Sequence, residues 1–298
     1  MSEFLQICSG GLALGSVYAL VALGFVVIYR SSQIFNFAHG ELVAIGAFCM
    51  TSFVSFGVPW GVSLLLAMVA TGLLASLIER TVIRPMIGRP LFSTIILTLF
   101  VGFLLRAAIL IVWGTELRGM PTPWDMMASV EILGATILYN GIAAIVVGAI
   151  ALVLFYLLLK KTRLGISMRA ANSDQEVALA LGIPVGRIFL ATWFLAGAFA
   201  ALAGIFLTMF PRSLDANLGY VALSAFPAAI VGGLTSPLGT VIAGVLLGVT
   251  EVMAQAYLEP LLGEFGHNIH VVFPYVVMIF FLMFRPYGLL GEKTVERL

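Results

Sequence analysis

Nine apolar runs follow one another along the chain, at residues 5–29, 34–56, 58–78, 91–113, 132–159, 188–209, 220–234, 238–257 and 271–284. A helix rises 1.5 Å per residue, so about 20 residues traverse the roughly 30 Å hydrocarbon core of a bilayer. Residues 220–234 are too short for a full crossing, and residues 34–56 carry Asn36, His39, Gly40 and Glu41 in their first half. The chain has 298 residues, 61% of them hydrophobic and 10% charged, against about 25% charged in soluble domains. Water cannot be the solvent for such a surface. A soluble enzyme, a disordered chain and a nucleic-acid binder are excluded, and a net charge of +1 supplies no field for polyanions. The expected fold class is all-α: a polytopic integral membrane helix bundle of about eight to nine membrane segments, read as one transmembrane domain over residues 1–298.

The first run lacks a basic leader and an early cleavage site, so it reads as a retained helix. Cys8 and Cys49 lie in apolar runs and support neither a disulfide framework nor a metal site.

Lys and Arg positions orient the chain. With the N-terminus outside, the inner loops hold Arg30, Arg80, Arg84, Arg89, Lys160, Lys161, Arg163, Arg169, Arg187, Arg285, Lys293 and Arg297. The outer loops hold only Arg118 and Arg212, and Arg106 falls within a run. The expected location is a bacterial inner membrane, with the C-terminus cytoplasmic.

Two segments resemble each other. Residues 38–48 read AHGELVAIGAF and residues 216–226 read ANLGYVALSAF, with identities at Ala38/Ala216, Val43/Val221, Ala44/Ala222, Ala47/Ala225 and Phe48/Phe226. Each is the second run of its half, and the copies are five runs apart. An odd offset reverses direction through the membrane. The expectation is an inverted repeat with interrupted helices, an arrangement in transporters that places the solute path where the interrupted segments meet. The first repeat spans about 5–113, a linking span follows at 132–159, and the second repeat spans about 188–284.

The candidate path residues are the polar groups within those runs: Asn36, His39, Gly40, Glu41, Arg106 and Asn217. A central charge costs about 2.5–3.5 kcal/mol on insertion scales, so it needs a role or a partner. Asn36 and Glu41 read either as the cap and first turn of a helix at the interface or as groups facing a solute. His39 reads as a structural histidine or a proton carrier. Arg106 has no acid within a helical turn; Glu251 is a candidate partner, and a substrate carboxylate is the alternative. Small residues spaced near four apart, such as Gly11 and Gly15, Gly197 and Ala201, or Gly244 and Gly248, suit close helix packing in lipid.

The inner loop 160–187 is the longest polar stretch. Ser173 to Glu176 form an S-x-x-E pattern, Gly182 is a helix stop and Pro184 follows it. A short helix over about 174–181 is expected. Isolated helices under about 12–15 residues are marginal in water, so it must dock on the protein's own inner face, on the membrane surface or in a groove of a separate cytoplasmic protein. No G-x-x-x-x-G-K-[ST] phosphate loop, nucleophilic triad or His/Cys metal spacing is present in the sequence.

The chain resembles the permease subunits of branched-chain amino acid ABC importers, specifically the LivH-like member of the LivH/LivM pair. The carriers are residues 15–24 (GSVYALVALG), 36–41 (NFAHGE), Arg169-Ala170 with Asp174, Ala178 and Gly182-Ile183, then 229–234 (AIVGGL) with 237–239 (PLG), and Arg285-Pro286 with 288–291 (GLLG). The resemblance implies a partner permease (LivM-like, or a second copy), two cytoplasmic ATPase subunits that bind the ATP and Mg, and a periplasmic substrate-binding protein. It implies no cofactor and no catalysis in this chain. It also implies that Arg169, Asp174, Glu176, Val177, Ala178, Leu181, Gly182 and Ile183 form the coupling segment seated on an ATPase. Importers of urea and short amides have similar permeases, so the solute stays open. A passive channel for a small neutral solute such as urea or an amide is the alternative, with an ion-coupled transporter as a third reading.

Overall fold

The computed structural model describes residues 2–86, 88–132, 134–173, 175–209 and 211–291. Asp174, Lys293 and Arg297 lie outside the described residues. The first half consists of α1 (Ser2–Ser32), α2 (His39–Ser55), α3 (Trp60–Ile78) and α4 (Leu91–Trp113). A hairpin, β1 (Ser129–Ile132) and β2 (Ala135–Leu138), leads into α5 (Tyr139–Lys161). Then come α6 (Arg163–Ser173) and α7 (Gln175–Ala180). The second half consists of α8 (Val185–Leu207), α9 (Leu218–Leu223), α10 (Phe226–Gly232), α11 (Pro237–Met253), α12 (Glu259–Leu262) and α13 (Ile269–Phe284).

Among the described residues, six helical stretches are long and apolar enough to span a bilayer, and three shorter apolar ones, His39–Ser55, Leu218–Gly232 and Ile269–Phe284, complete the set. Together these match the nine runs. One boundary differs. The expected linking span began at 132, but residues 129–132 and 135–138 pair as antiparallel strands, Val130 opposite Ile137 and Ile132 opposite Ala135. Gly134 turns the hairpin at φ +78°. Alternating β-branched residues there satisfied a hydropathy reading while favouring a strand.

The halves interlock. The first helix of each packs along the third helix of the other. Between α1 and α11, a Cβ at Gly11 would meet Val249 Cα at 2.7 Å, and one at Gly244 would meet Ala19 Cα at 2.7 Å. Between α8 and α3, a Cβ at Gly197 would meet the Thr71 carbonyl at 2.6 Å, and one at Gly72 would meet Phe194 at 2.9 Å. Both seams run antiparallel and need the missing side chains, because in lipid the packing of small residues replaces the hydrophobic drive between helices. In each half the third helix ends in a π-helical turn, Glu79–Ile83 or Ala254–Leu258.

Long-range bonds sort the loops to two ends. At one end the Gln175 amide donates to the Ser31 carbonyl (3.4 Å). There too Arg84 bridges Glu79 (2.8 Å) and the Gly186 carbonyl (2.7 Å). This basic end joins the C-terminus of α1 to the N-terminus of α8, so the two first helices are antiparallel and the repeat is inverted. At the opposite end Arg118 and Leu214 exchange backbone bonds (2.9 and 2.8 Å), and the Trp60 indole donates to the Pro121 carbonyl (2.9 Å).

Candidate functional site

After Ser32 the chain does not leave the bundle. Gln33 takes a left-handed φ of 57° and its N–H caps the Tyr29 carbonyl (2.7 Å). The chain then turns back inward. Thr98 of α4 receives it: the Thr98 hydroxyl accepts from the Phe37 N–H and lies 3.3 Å from the Phe35 carbonyl. Asn36 makes an Asx turn, its Oδ1 accepting from the Ala38 N–H (3.1 Å) and its carbonyl from the His39 N–H (3.1 Å). Helix α2 starts there. A Cβ at Gly24 would strike the His39 ring, and Gly24 lies eight residues before the end of α1, about 12 Å along its axis. The helix therefore begins well inside the bundle, as expected of an interrupted segment.

The second half repeats the device. Asp215 Oδ1 accepts from the Asn217 N–H (3.0 Å), the Asp215 carbonyl accepts from the Leu218 N–H (3.3 Å), and α9 starts. These turns pair Asn36 with Asp215 and Gly40 with Gly219, one residue out of the register of the ungapped sequence match. The two glycines face each other: a Cβ on Gly40 would collide with the Gly219 carbonyl, and one on Gly219 would meet the Glu41 carboxylate at 2.5 Å. The interrupted helices thus cross backbone to backbone, which only glycine permits.

Arg106 lies beside this crossing. Its Nη2 donates to Asn217 Oδ1 (2.5 Å), its Nη1 stands 3.6 Å from Glu41 Oε1, and its guanidinium carbon is 4.2 Å from the Tyr220 ring centre. The Asn217 amide in turn donates to Asp215 Oδ2 (3.4 Å). Glu251, one candidate partner for Arg106, does not pair with it among the described residues; the Tyr18 hydroxyl donates to it instead (3.1 Å). The i±4 search along α4 could not see that the acid would come from the crossing itself. Glu41 Oε2 and Arg106 Nη1 meet no hydrogen-bond partner among the described residues. The cluster is also accessible, with Asn217 exposed and Tyr220 54% exposed. The guanidinium and the carboxylate are thus half satisfied, and their partnerless atoms are buried beside the exposed Asn217 and Tyr220.

Of the sequence candidates, Gly40, Glu41, Arg106 and Asn217 come together. Asn36 holds the backbone turn. His39 is fully buried against Phe25, ring centres 4.6 Å apart, on the α1 side of the helix. Tyr220 and Asp215 were missed; the signal was the repeat shifted by one residue, which pairs Tyr220 with Glu41.

The loop at the basic end also differs from expectation. Helix α6 precedes α7, so the short helix is not isolated. Ser173 closes α6, its hydroxyl donating to the Arg169 carbonyl (3.1 Å), and Arg169 itself donates to the Leu159 carbonyl at the end of α5. Ala178 is buried with Met168, Ala171, Val185, Ile188 and Phe189, so it docks on the chain's own surface. Gly182 stops the helix at φ +81°, and the Ile183 N–H bonds the Ala178 carbonyl (2.9 Å). Glu176 is hydrogen-bonded or otherwise engaged. Leu181 and Leu179 project outward, 75% and 58% exposed.

Residues 7–282 match the family described as branched-chain amino acid transport system, permease component. The high-affinity branched-chain amino acid transport system permease protein LivH of Salmonella typhimurium is 28% identical over 307 residues, covering 99% of this chain and 97% of its own. Its counterpart BraD of Pseudomonas aeruginosa is 30% identical over 312 residues, covering 99% and 98%. The autoinducer 2 import system permease LsrD of Escherichia coli is 28% identical over 239 residues, covering 77% and 70%. Among solved structures, PsaBC from Streptococcus pneumoniae in complex with Fab aligns with a TM-score of 0.51 at 16% identity, covering 96% of this chain and 93% of that one. That likeness concerns the fold.

Proposed function

The chain belongs to the branched-chain amino acid transport permease family, and from that premise we propose that it is a permease subunit of an ATP-driven importer of branched-chain or closely related amino acids. The observation that carries this is the half-satisfied Glu41–Arg106–Asn217 cluster at the crossing of the interrupted helices. An α-amino acid brings a carboxylate for the Arg106 guanidinium and an ammonium for Glu41 Oε2. The crossing presents backbone and small residues around Gly40 and Gly219, which leaves an aliphatic side chain no polar competitor.

The open side of the cluster supports a partner. A guanidinium with Tyr220 and Asn217 beside it is costly against lipid tails, so this face suits a second permease subunit with the path between the two. At the basic end, Val177, Leu179 and Leu181 form an exposed apolar edge beside the buried Ala178. Such an edge on a docked short helix suits the groove of a cytoplasmic ATPase, with the ATP and Mg bound there. A periplasmic binding protein delivers the solute to the opposite end. The basic end then faces the cytoplasm in the inner membrane, as the charge bias requires.

The test is leucine uptake into vesicles holding this chain, its partner permease, the two ATPases and the binding protein. Uptake requires ATP inside and the binding protein outside. Flux through this chain without ATP marks a channel and overturns the proposal. Leu179→Asp with Leu181→Asp leaves the bundle inserted and ATP hydrolysis active but lowers uptake at least tenfold; unchanged uptake removes the coupling assignment.

A further inference from the structure

A second polar feature lies away from the crossing. A cavity of about 570 Å³ is lined by the first half of α1, α5, α11 and the β-hairpin, at the end opposite the basic loops. Its volume fits the 300–1,000 Å³ range of small-molecule sites. None of Glu41, Arg106, Asn217 or Tyr220 lines it.

Glu251 does. It is 3% exposed. One carboxylate oxygen takes the Tyr18 hydroxyl, and the other, Oε2, has no partner among the described residues. Arg212 lines the same cavity, yet among the described residues no ion pair joins it to Glu251. A carboxylate this deep in an apolar bundle is expensive to keep half-paired. The rest of the lining is mixed: Ala13, Leu14, Val17, Ala144, Leu207 and Val252 are aliphatic, while Gln6, Ser9, Asn140, Gln255 and His270 add polar groups.

We propose that this cavity is a second binding site for a zwitterionic α-amino acid with an aliphatic side chain. The ammonium sits on Glu251 Oε2, the carboxylate faces Arg212, and the side chain lies on the α1–α5 wall. Tyr18 fixes the Glu251 carboxylate through its hydroxyl. The site is separate from the crossing and rests on the amino acid reading only for the identity of its ligand.

The test is equilibrium binding of radiolabelled leucine to the purified full chain in nanodiscs, without the other subunits. Wild type binds saturably, and Glu251→Gln weakens binding at least tenfold. Leucinol, which lacks the carboxylate, and 4-methylpentanoate, which lacks the ammonium, compete at least tenfold less well than leucine. Gly10→Leu checks the site by volume: a Cβ there meets only Val252 Cγ1 at 3.9 Å, so the added side chain enters the cavity without moving backbone and removes the binding component that Glu251→Gln weakens, leaving only what the crossing holds. Diazirine-bearing leucine maps the site in unmutated protein, tagging peptides that contain residues 6–17 or 251–255. Tags confined to residues 36–41, 106 and 217–220, wild-type binding in both variants, or no saturable binding overturns the proposal. If the assembled importer still carries leucine, only this site falls; if it does not, the amino acid reading falls too.

Discussion

The two interrupted segments begin alike and then diverge. Both use an Asx turn to start a helix inside the bundle, and both place a glycine in the first turn. Beyond that turn α2 continues unbroken from His39 to Ser55, whereas α9 stops at Leu223 and α10 restarts at Phe226. At the equivalent first-turn position one carries Glu41, the other Tyr220. The repeat therefore conserves the backbone device and frees the side chains. Symmetry brings the segments together, and the broken symmetry gives the crossing a carboxylate from one half, an amide and a ring from the other, and a guanidinium from α4.

The largest expected effect tests the shared part. Gly40→Val or Gly219→Val puts a side chain into opposing backbone or carboxylate, and leucine uptake per inserted protein falls below detection. Gly61→Ala, where an added Cβ meets nothing within 4 Å, leaves uptake unchanged. Tolerance of valine at either crossing glycine would show that the close approach is not required in transport.

The next effect tests the divergent part. Arg106→Leu leaves Glu41 buried without its cation, and uptake drops at least tenfold. Arg106→Lys recovers only part of it, because a single ammonium cannot hold both Glu41 and Asn217 as the guanidinium fork does. Full recovery by lysine would reduce Arg106 to a point charge.

The smallest effect separates the two Asx turns. Asn36 is 2% exposed, so Asn36→Ala leaves the buried Ala38 N–H unpaired and costs about 1–2 kcal/mol in unfolding measurements. Asp215→Ala leaves the Asn217 N–H near solvent and costs about 0.5 kcal/mol or less. Equal costs would mean that burial does not distinguish the two turns.

Much of the bundle was legible because bilayer solvation acts on local composition. Among the described residues the nine apolar runs became nine apolar helical stretches, and Gly182 stopped α7 as expected. The failures share a cause. The second strand of the hairpin, residues 135–138, was apolar enough to be read into the span that began at 132, since hydropathy ignores β-branching and a turn glycine. Helix α6 was hidden in a polar loop because its stability comes from the contacts of Met168 and Ala171 with α8. The repeat was found one residue out of register, because identity counts side chains while the turns align backbone.

By itself the sequence determined the solvent, the number of segments, their sidedness in charge and the two places where helices are interrupted. Each follows from free energies of transfer that a residue carries with it wherever it lies. Only the tertiary structure decided that Gly40 meets Gly219, that Arg106 is held by Glu41 and Asn217, and that Glu251 turns to Tyr18 in a separate cavity. Those pairings join residues more than sixty positions apart. Their energies depend on distance and orientation between packed helices, which no local pattern encodes.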